Sequence, residues 1–440
     1  MNKTLRDTLI FGFSLFALFF GAGNLIFPPS IGLVSGTDWP IALVGFFLTG
    51  IIFPMLGVPA ILNSKGKLEV LTQPISPWFY KVFNTIIWLG LGMFVSIPRT
   101  AATTHELGVH TLFPHISPFF SSLIFFALTF YFAMDKSNFI EKMGKILTPL
   151  LFVLLLFIVF KGFFDPIATP IITELKNPFY KAFIGGYQTG DLLTGLLCTS
   201  VFIAGIRSQG YTESSSIKRI TINGTLIASV GLFIVYGGLL YLGATGSGLY
   251  SNDIDNTLLV IGLVNNLLGN YGSLVLAIIV SLACLTTAIG LTAAGSDFLS
   301  HLTNQRVSYR MGVLLFSIVG VIVSSLGVET IINYSQPVYS AIYPVSIVLV
   351  FLGIFRKYVP NAGAYKGAAI LTISTSLIET IGIFGKVEFF NYVISLLPFS
   401  SNGFSWIVPA ISGFLLGMLI NQLFANSPGT NIDIELEGKQ

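Results

Sequence analysis

The chain has 440 residues, of which 53% are apolar and only 9% charged, with a mean hydropathy of +0.84 and a formal net charge of +3. A soluble globular domain carries nearer ~25% charged residues, so this composition excludes an ordinary water-soluble protein and indicates a polytopic, all-α membrane protein. The small positive balance calls for no nucleic-acid partner, because the basic residues fall in short polar connections, where they set topology.

Apolar runs long enough for a ~30 Å hydrocarbon core recur about twelve times in this sequence. They lie near 8–34, 39–62, 80–105, 117–134, 146–164, 183–206, 219–244, 268–299, 309–326, 330–355, 366–385 and 403–424. Lys3 and Arg6 precede the first run as in a signal peptide. The run nevertheless continues through Asn24 and two prolines without a small-residue cleavage motif, so it is read as a helix. It is broken at mid-depth by Phe20-Gly21-Ala22-Gly23-Asn24 and again by Pro28-Pro29. Hydrocarbon offers no water to an unpaired peptide group, so a broken span survives only where protein or a polar cavity satisfies the freed groups. Small residues alone would permit tight helix packing, but they do not account for the asparagine or the proline pair. The functional reading is that the N–H groups of Ala22 and Gly23 hold a carboxylate, with Asn24 lending an oxygen or supporting the turn. The half-helix ends suit a carboxylate and a small cation bound side by side.

In the third run Arg99 follows Pro98, and Glu106 lies seven residues on, about two helical turns and so roughly the same face. Either the two form an ion pair, or the span ends near Ala101 and Glu106 stands at the outer surface as part of a gate. His105 and His110 bracket Glu106 in a pattern near that of a zinc protease. Five residues turn them ~140° apart instead of onto one face, which disfavours a metal site. No cluster of nucleophile and base appears, so the chain is not expected to be an enzyme. Cys198 and Cys284 fall inside spans and read as small packing residues.

The second interrupted span begins at Gly185-Gly186-Tyr187 and continues through Gln188-Thr189-Gly190-Asp191. Thr, Gly and an acid in succession are poor helix continuers and costly in lipid. Asp191 is a candidate for contact with a substrate amine or proton, against a helix-capping role. If segments one to five and six to ten are repeats of opposite orientation, the two breaks meet near the midplane and segment eight corresponds to segment three. Thr286 and Thr287, mid-span in segment eight, either bond their own backbone carbonyls one turn back or serve as hard oxygen ligands for Na⁺. Asp297 and Glu329 read as interfacial, and 388–402 as a re-entrant or surface segment.

No stretch has the character of a domain linker. The chain is read as one transmembrane domain, 1–424, with a first repeat at 8–164, a second at 183–355 and two additional helices at 366–424. A polar tail follows at 425–440. With the N-terminus inside, most basic residues, from Lys3 and Arg6 to Arg356 and Lys439 and including Lys136, Lys142 and Lys145, fall on the inner side. Only Lys161, Lys176, Lys181 and Lys386 remain outside. Both termini are therefore expected in the cytoplasm and the protein in the cell membrane.

The run Phe16-Ala17-Leu18-Phe19-Phe20-Gly21-Ala22-Gly23-Asn24-Leu25-Ile26-Phe27-Pro28-Pro29 resembles the opening signature of the branched-chain amino acid:cation symporters. Pro98-Arg99-Thr100-Ala101 with Glu106 is similar to that family's third-helix motif, Gly186-Tyr187 with Thr189 and Asp191 to its sixth, and Leu285 to Thr292 to its eighth. Gly190, and Leu197-Cys198-Thr199-Ser200, depart from the usual sixth helix. The resemblance implies a LeuT-like fold of about twelve helices, a five-plus-five inverted repeat plus two helices, with helices 1 and 6 discontinuous. It also implies Na⁺ as coupling ion, held by carbonyls of Ala17 and Phe20 with the hydroxyls of Thr286 and Thr287, and no other cofactor. The expected substrate site comprises Gly21, Ala22, Gly23, Asn24, Tyr187, Thr189 and Asp191, with Arg99 and Glu106 as gate or ion pair. The expected activity is Na⁺-driven import of leucine, isoleucine and valine, with the lipid bilayer and a small amino acid as the only partners. The alternatives are a proton-coupled carrier of another amino acid and a membrane sensor that does not transport.

Overall fold

The structure, a computed structural model, describes residues 3–134 and 148–424. Lys136, Lys142, Lys145, Lys439, the start of the expected fifth span and the tail at 425–440 lie outside the described residues. Helix α1 (Lys3–Phe19) ends at Phe20-Gly21, and α2 (Ala22–Ser35) begins after Gly21, whose extended backbone (φ −119°, ψ −160°) interrupts the run. The second interruption expected at Pro28-Pro29 does not occur: both prolines lie inside α2, which runs unbroken from Ala22 to Ser35, because the fixed φ of proline is itself helical and the pair withdraws only two N–H donors. Gly36, at φ 49°, separates α2 from α3 (39–63). Helix α4 (Pro77–Leu112) contains wide, π-type turns at Ile86–Ser96 and His105–Val109. It is followed by α5 (Pro118–Ala133) and α6 (Thr148–Phe164).

The second break repeats the first with different chemistry. Helix α7 (Pro178–Tyr187) and α8 (Asp191–Ser208) are separated by Gln188, Thr189 and Gly190. Gly190 has φ +76°, a conformation that a side chain at this position would strain. Then come α9 (Ser214–Thr245), α10 (Asn256–Leu268), α11 (Gly272–Leu302), α12 (Tyr309–Ser324), α13 (Val328–Ile354), α14 (Ala362–Phe384), the short α15 (Glu388–Ser395) and α16 (Ile407–Phe424). Among the described residues there is no strand. Seven helical stretches among them are long and apolar enough to cross a membrane, and four shorter apolar helices accompany these. The expected third span extends beyond Ala101 to Leu112, so Glu106 stands within the helix and half-buried, not past its end.

Packing draws on small residues, because apolar side chains gain nothing by leaving lipid for one another and backbones must approach closely instead. The broken pair α1–α2 lies along α9: a Cβ on Gly243 would stand 2.0 Å from the Pro29 carbonyl oxygen, and one on Gly12 3.0 Å from that of Gly224. On the far side α14 and α16 make a reciprocal contact, with a Cβ on Gly367 falling 1.9 Å from the Gly413 oxygen and one on Gly413 2.2 Å from the Gly367 oxygen. The outward faces carry exposed Phe120, Ile124, Leu226, Val230, Ile411 and Leu415, an apolar surface too extensive for water.

The replacement Gly367→Leu is expected to wedge α14 from α16. It should lower the midpoint of thermal unfolding in detergent, read by tryptophan fluorescence, by the equivalent of at least ~1–3 kcal/mol of overpacking. Gly90→Ala, whose new Cβ would meet only Ile86 Cγ2 at 3.8 Å, should leave the midpoint where it was.

Candidate functional site

The two breaks meet. Asn24, in the first turn of α2, donates from Nδ2 to Asp191 Oδ2 at 2.6 Å and also contacts the Tyr236 hydroxyl, while Tyr236 donates to the same carboxylate oxygen at 3.1 Å. Asp191 is 2% exposed and Asn24 1%. The Asp191 side chain therefore does not cap its own helix; it ties α8 to α2 and α9. Its backbone N–H donates to Thr189 Oγ1 at 3.3 Å, and the next, from Leu192, to the Tyr343 hydroxyl at 3.2 Å. No side chain caps the start of α2, so its first-turn N–H groups are left for another acceptor.

A small cavity occupies the junction. Gly21, Ala22, Gly23 and Asn24 line it from the first break, Thr189 and Asp191 from the second, Arg99 from α4 and Thr287 from α11. A second, apolar pocket adjoins it, sharing Ser96, Thr194 and Leu291 and walled by Trp88, Leu91, Leu193 and Leu197. The first compartment carries the charged side chains, Arg99 and Asp191, and the second is walled mainly by apolar ones, with Ser96, Thr194 and Tyr339 among them. Tyr187 lines neither. It stacks on Tyr343 with ring centroids 4.3 Å apart, behind the second break.

The threonine pair divides. Thr286 Oγ1 bonds within its own helix, to the carbonyls of Leu282 (2.9 Å) and Ala283 (3.0 Å), and stands 3.4 Å from the Ala17 oxygen. Thr287 Oγ1 turns outward to the end of α1 and stands 3.2 Å from the Ala17 oxygen, 3.4 Å from that of Phe20 and 3.5 Å from that of Leu18. One hydroxyl proton can serve only one of three carbonyls. The last carbonyls of a helix lack intrahelical partners, so this cluster of oxygens has more acceptors than donors. Its donor set is neutral and hard, of the kind that suits an alkali cation. Among the described residues no group of three or more His, Cys, Asp or Glu side chains could hold a metal ion.

Arg99 and Glu106 do not pair. Seven residues of helix separate them by ~10.5 Å along the axis, and each serves a different helix end. Arg99 Nη1 donates to the Gln188 carbonyl at 2.9 Å, at the C-terminal end of α7, while Glu106 Oε1 accepts the Val328 N–H at 2.8 Å, at the start of α13. Each charge matches the sign of the dipole end it meets. His105 instead bonds Ser121 Oγ through Nδ1 at 2.8 Å, an ordinary packing role.

Sequence reasoning missed Tyr236, Tyr339, Tyr343 and Ser96. Tyr236 sits in an apolar run with Gly237, Gly238 and Tyr241 after it, a context shared by many packed tyrosines, and no charged residue marks it. Tyr339 and Tyr343 are four residues apart, one helical turn, between Pro337 and Pro344, a pattern that could have marked them. Ser96 Oγ lies 3.1 Å from the Tyr339 hydroxyl.

Comparison with known proteins decides the family. Residues 4–424 match the family described as branched-chain amino acid transport protein. The branched-chain amino acid permease BraB of Bacillus subtilis (strain 168) is 33% identical, over 97% of this chain and 98% of its own. The chain belongs to the branched-chain amino acid transport protein family. As a member of a transporter family it is a membrane transport protein and not an enzyme. The fold is similar to that of a Na⁺-coupled sialic acid symporter solved in a substrate-bound, outward-open state (TM-score 0.60, 16% identity, 95% of this chain and 90% of that one). It is also similar to inward-facing Mhp1 (TM-score 0.59, 14% identity, 94% and 91%). These likenesses bear on the fold alone and agree with the LeuT-like architecture expected of the transporter.

The junction of the transporter's two breaks can be tested by a double-mutant cycle of Asn24→Ala and Tyr236→Phe. Each is expected to lower stability by ~1.5–3 kcal/mol, the range for a hydrogen bond to a charged group. The pair together should cost less than the sum, because both act on one carboxylate. Thermal unfolding in detergent checks this, and additive losses would contradict the shared role.

Proposed function

We propose that the protein is a secondary-active symporter that brings leucine, isoleucine and valine into the cell with Na⁺ by alternating access. The observation that carries the coupling ion is Thr287 Oγ1 within reach of three carbonyls that its single proton cannot satisfy. In this reading Ala17 O, Phe20 O and Thr287 Oγ1 would hold Na⁺, with Thr286 at the margin. The ion supplies positive charge beside the cavity. The chain's own groups do the rest: the N-terminus of α2 and Asp191 bound the chamber for the zwitterion's two charges, and Trp88, Leu91, Leu193, Leu197 and Leu291 offer an apolar pocket for the side chain. One methylene is worth only ~1–3 kcal/mol in such a pocket, so the three amino acids should compete with one another.

The wider architecture belongs to the same proposal. If α1–α2 and α7–α8 are each one discontinuous span, and α10 and α15 are too short to cross, the chain has twelve spans. The first ten then form a five-plus-five inverted repeat at 8–164 and 183–355, and α14 and α16 are the two additional helices. The packing of α4 against α11 beside the breaks supports the correspondence of segments three and eight. An even number of spans would put both termini on one side, and the basic connections make that side the cytoplasmic one. One charge moved through ~100 mV contributes ~2.3 kcal/mol to the driving force.

Labelled-leucine uptake into liposomes containing the purified protein tests the proposal. The comparison is an inward Na⁺ gradient against an equal choline gradient at fixed pH and voltage, with unlabelled valine as competitor. Uptake should require Na⁺ and yield to valine. Thr287→Ala should abolish the Na⁺ dependence, Thr287→Ser should retain it, and Thr286→Ala should have the smaller effect. Uptake indifferent to Na⁺ but driven by a pH step would favour a proton-coupled carrier with Asp191 as the titrating group. Folded protein that transports no branched-chain amino acid would refute the substrate.

A further inference from the structure

Arg99 is 3% exposed, inside a helix long and apolar enough to cross a membrane, and no carboxylate of any described residue lies within ion-pair distance of it. An unpaired cation at such a place costs ~2.5–3.5 kcal/mol or more. Among the described residues its one hydrogen bond, from Nη1 to the Gln188 carbonyl, uses one of five donors. Nε is buried and without a partner, and Nη2 donates to no described residue. These two nitrogens form one edge of the guanidinium fork, the geometry that takes both oxygens of a carboxylate. The same edge stands over the first turn of α2: a Cβ on Gly23 would lie 2.9 Å from Nη2. The Phe27 ring, with its centroid 5.7 Å from Arg99 Cζ, supports the group from one side.

Asp191 lines the same cavity and makes no ion pair with Arg99. Two opposite charges held apart across one small chamber are the complement of a zwitterion. We infer that Arg99 is the carboxylate anchor of the substrate: its free Nε–Nη2 edge receives the α-carboxylate together with the N–H groups of Ala22 and Gly23. This inference rests on the amino-acid transport reading above. It differs from that reading in giving the anchoring charge to α4 and not to the backbone of the break alone. Gly23 follows as a necessary companion, since a side chain there would push the guanidinium away from the α2 terminus.

The test compares binding of leucine with that of leucinamide, which keeps the amine and side chain but lacks the carboxylate charge. The full-length protein in lipid nanodiscs and Na⁺ buffer is titrated calorimetrically, and unfolding is followed in parallel. Wild type should prefer leucine by about ten- to hundredfold, the worth of hydrogen bonds to a charged group. Arg99→Gln should lose leucine affinity by a similar factor while leucinamide binding stays the same, bringing the ratio near one. Arg99→Lys, which keeps the charge but not the fork, should fall between. A merely structural arginine would weaken both ligands together, and an unchanged ratio in Arg99→Gln overturns the inference. Should that variant fail to fold, Gly23→Ala gives the same readout: a reduced ratio supports the anchor and an unchanged one overturns it. Wild-type protein that binds neither ligand overturns the transport reading and this inference with it. Leucine binding whose preference is indifferent to Arg99 and Gly23 overturns the anchor alone.

Discussion

Two helices interrupted inside an apolar protein leave peptide groups that hydrocarbon cannot satisfy, and the junction of Asn24, Asp191 and Tyr236 is where this chain answers that constraint. The Asp191 carboxyl group receives hydrogen bonds from α2 and α9 while opening α8, so three segments distant in sequence are held through one side chain. Asn24 and Asp191 also line the cavity between the breaks. A buried carboxylate is stable only with such partners, and here the partners are the substructures that the site requires.

Charge is used sparingly and at helix ends. Arg99 meets the carbonyl end of α7 and Glu106 the N–H end of α13, each with the sign that the helix dipole favours. Both stand on α4, the element next to both breaks. The helix thereby carries two fixed points, one inside the site and one toward α13 and α10. A helix so tied cannot shift without disturbing either the second break or the start of α13.

Glycine contacts set the frame around this centre. Where Gly243 meets Pro29 and Gly367 meets Gly413, backbones touch without side chains between them, which is how helices associate in lipid. The first contact holds the broken pair against α9, so that Tyr236 arrives at Asn24. The second joins two helices that line neither compartment of the site.

Much of this was legible in the residues themselves. Apolar run lengths mark membrane helices because hydrocarbon thickness sets their length. The breaks at Gly21 and Gly190 are written in local chemistry, glycine beside polar residues in an apolar run, whereas the proline pair at 28 and 29 is absorbed within α2. Asn24, Thr189 and Asp191 could be named for the same cause, since a polar group in an apolar run is costly wherever it lies. What the sequence could not decide was partnership. Seven-residue spacing put Arg99 and Glu106 on one helix face, but only the neighbours of α4 sent them to different helix ends. Adjacent threonines looked alike until α1 packed beside α11, whereupon Thr286 kept its own carbonyls and Thr287 took those of another helix. Tyr236 reached Asp191 although no charged residue or helix break lay near it in sequence. Local chemistry determines where a helix must stop; which groups then meet depends on contacts between segments hundreds of residues apart, and only the packed tertiary structure supplies those.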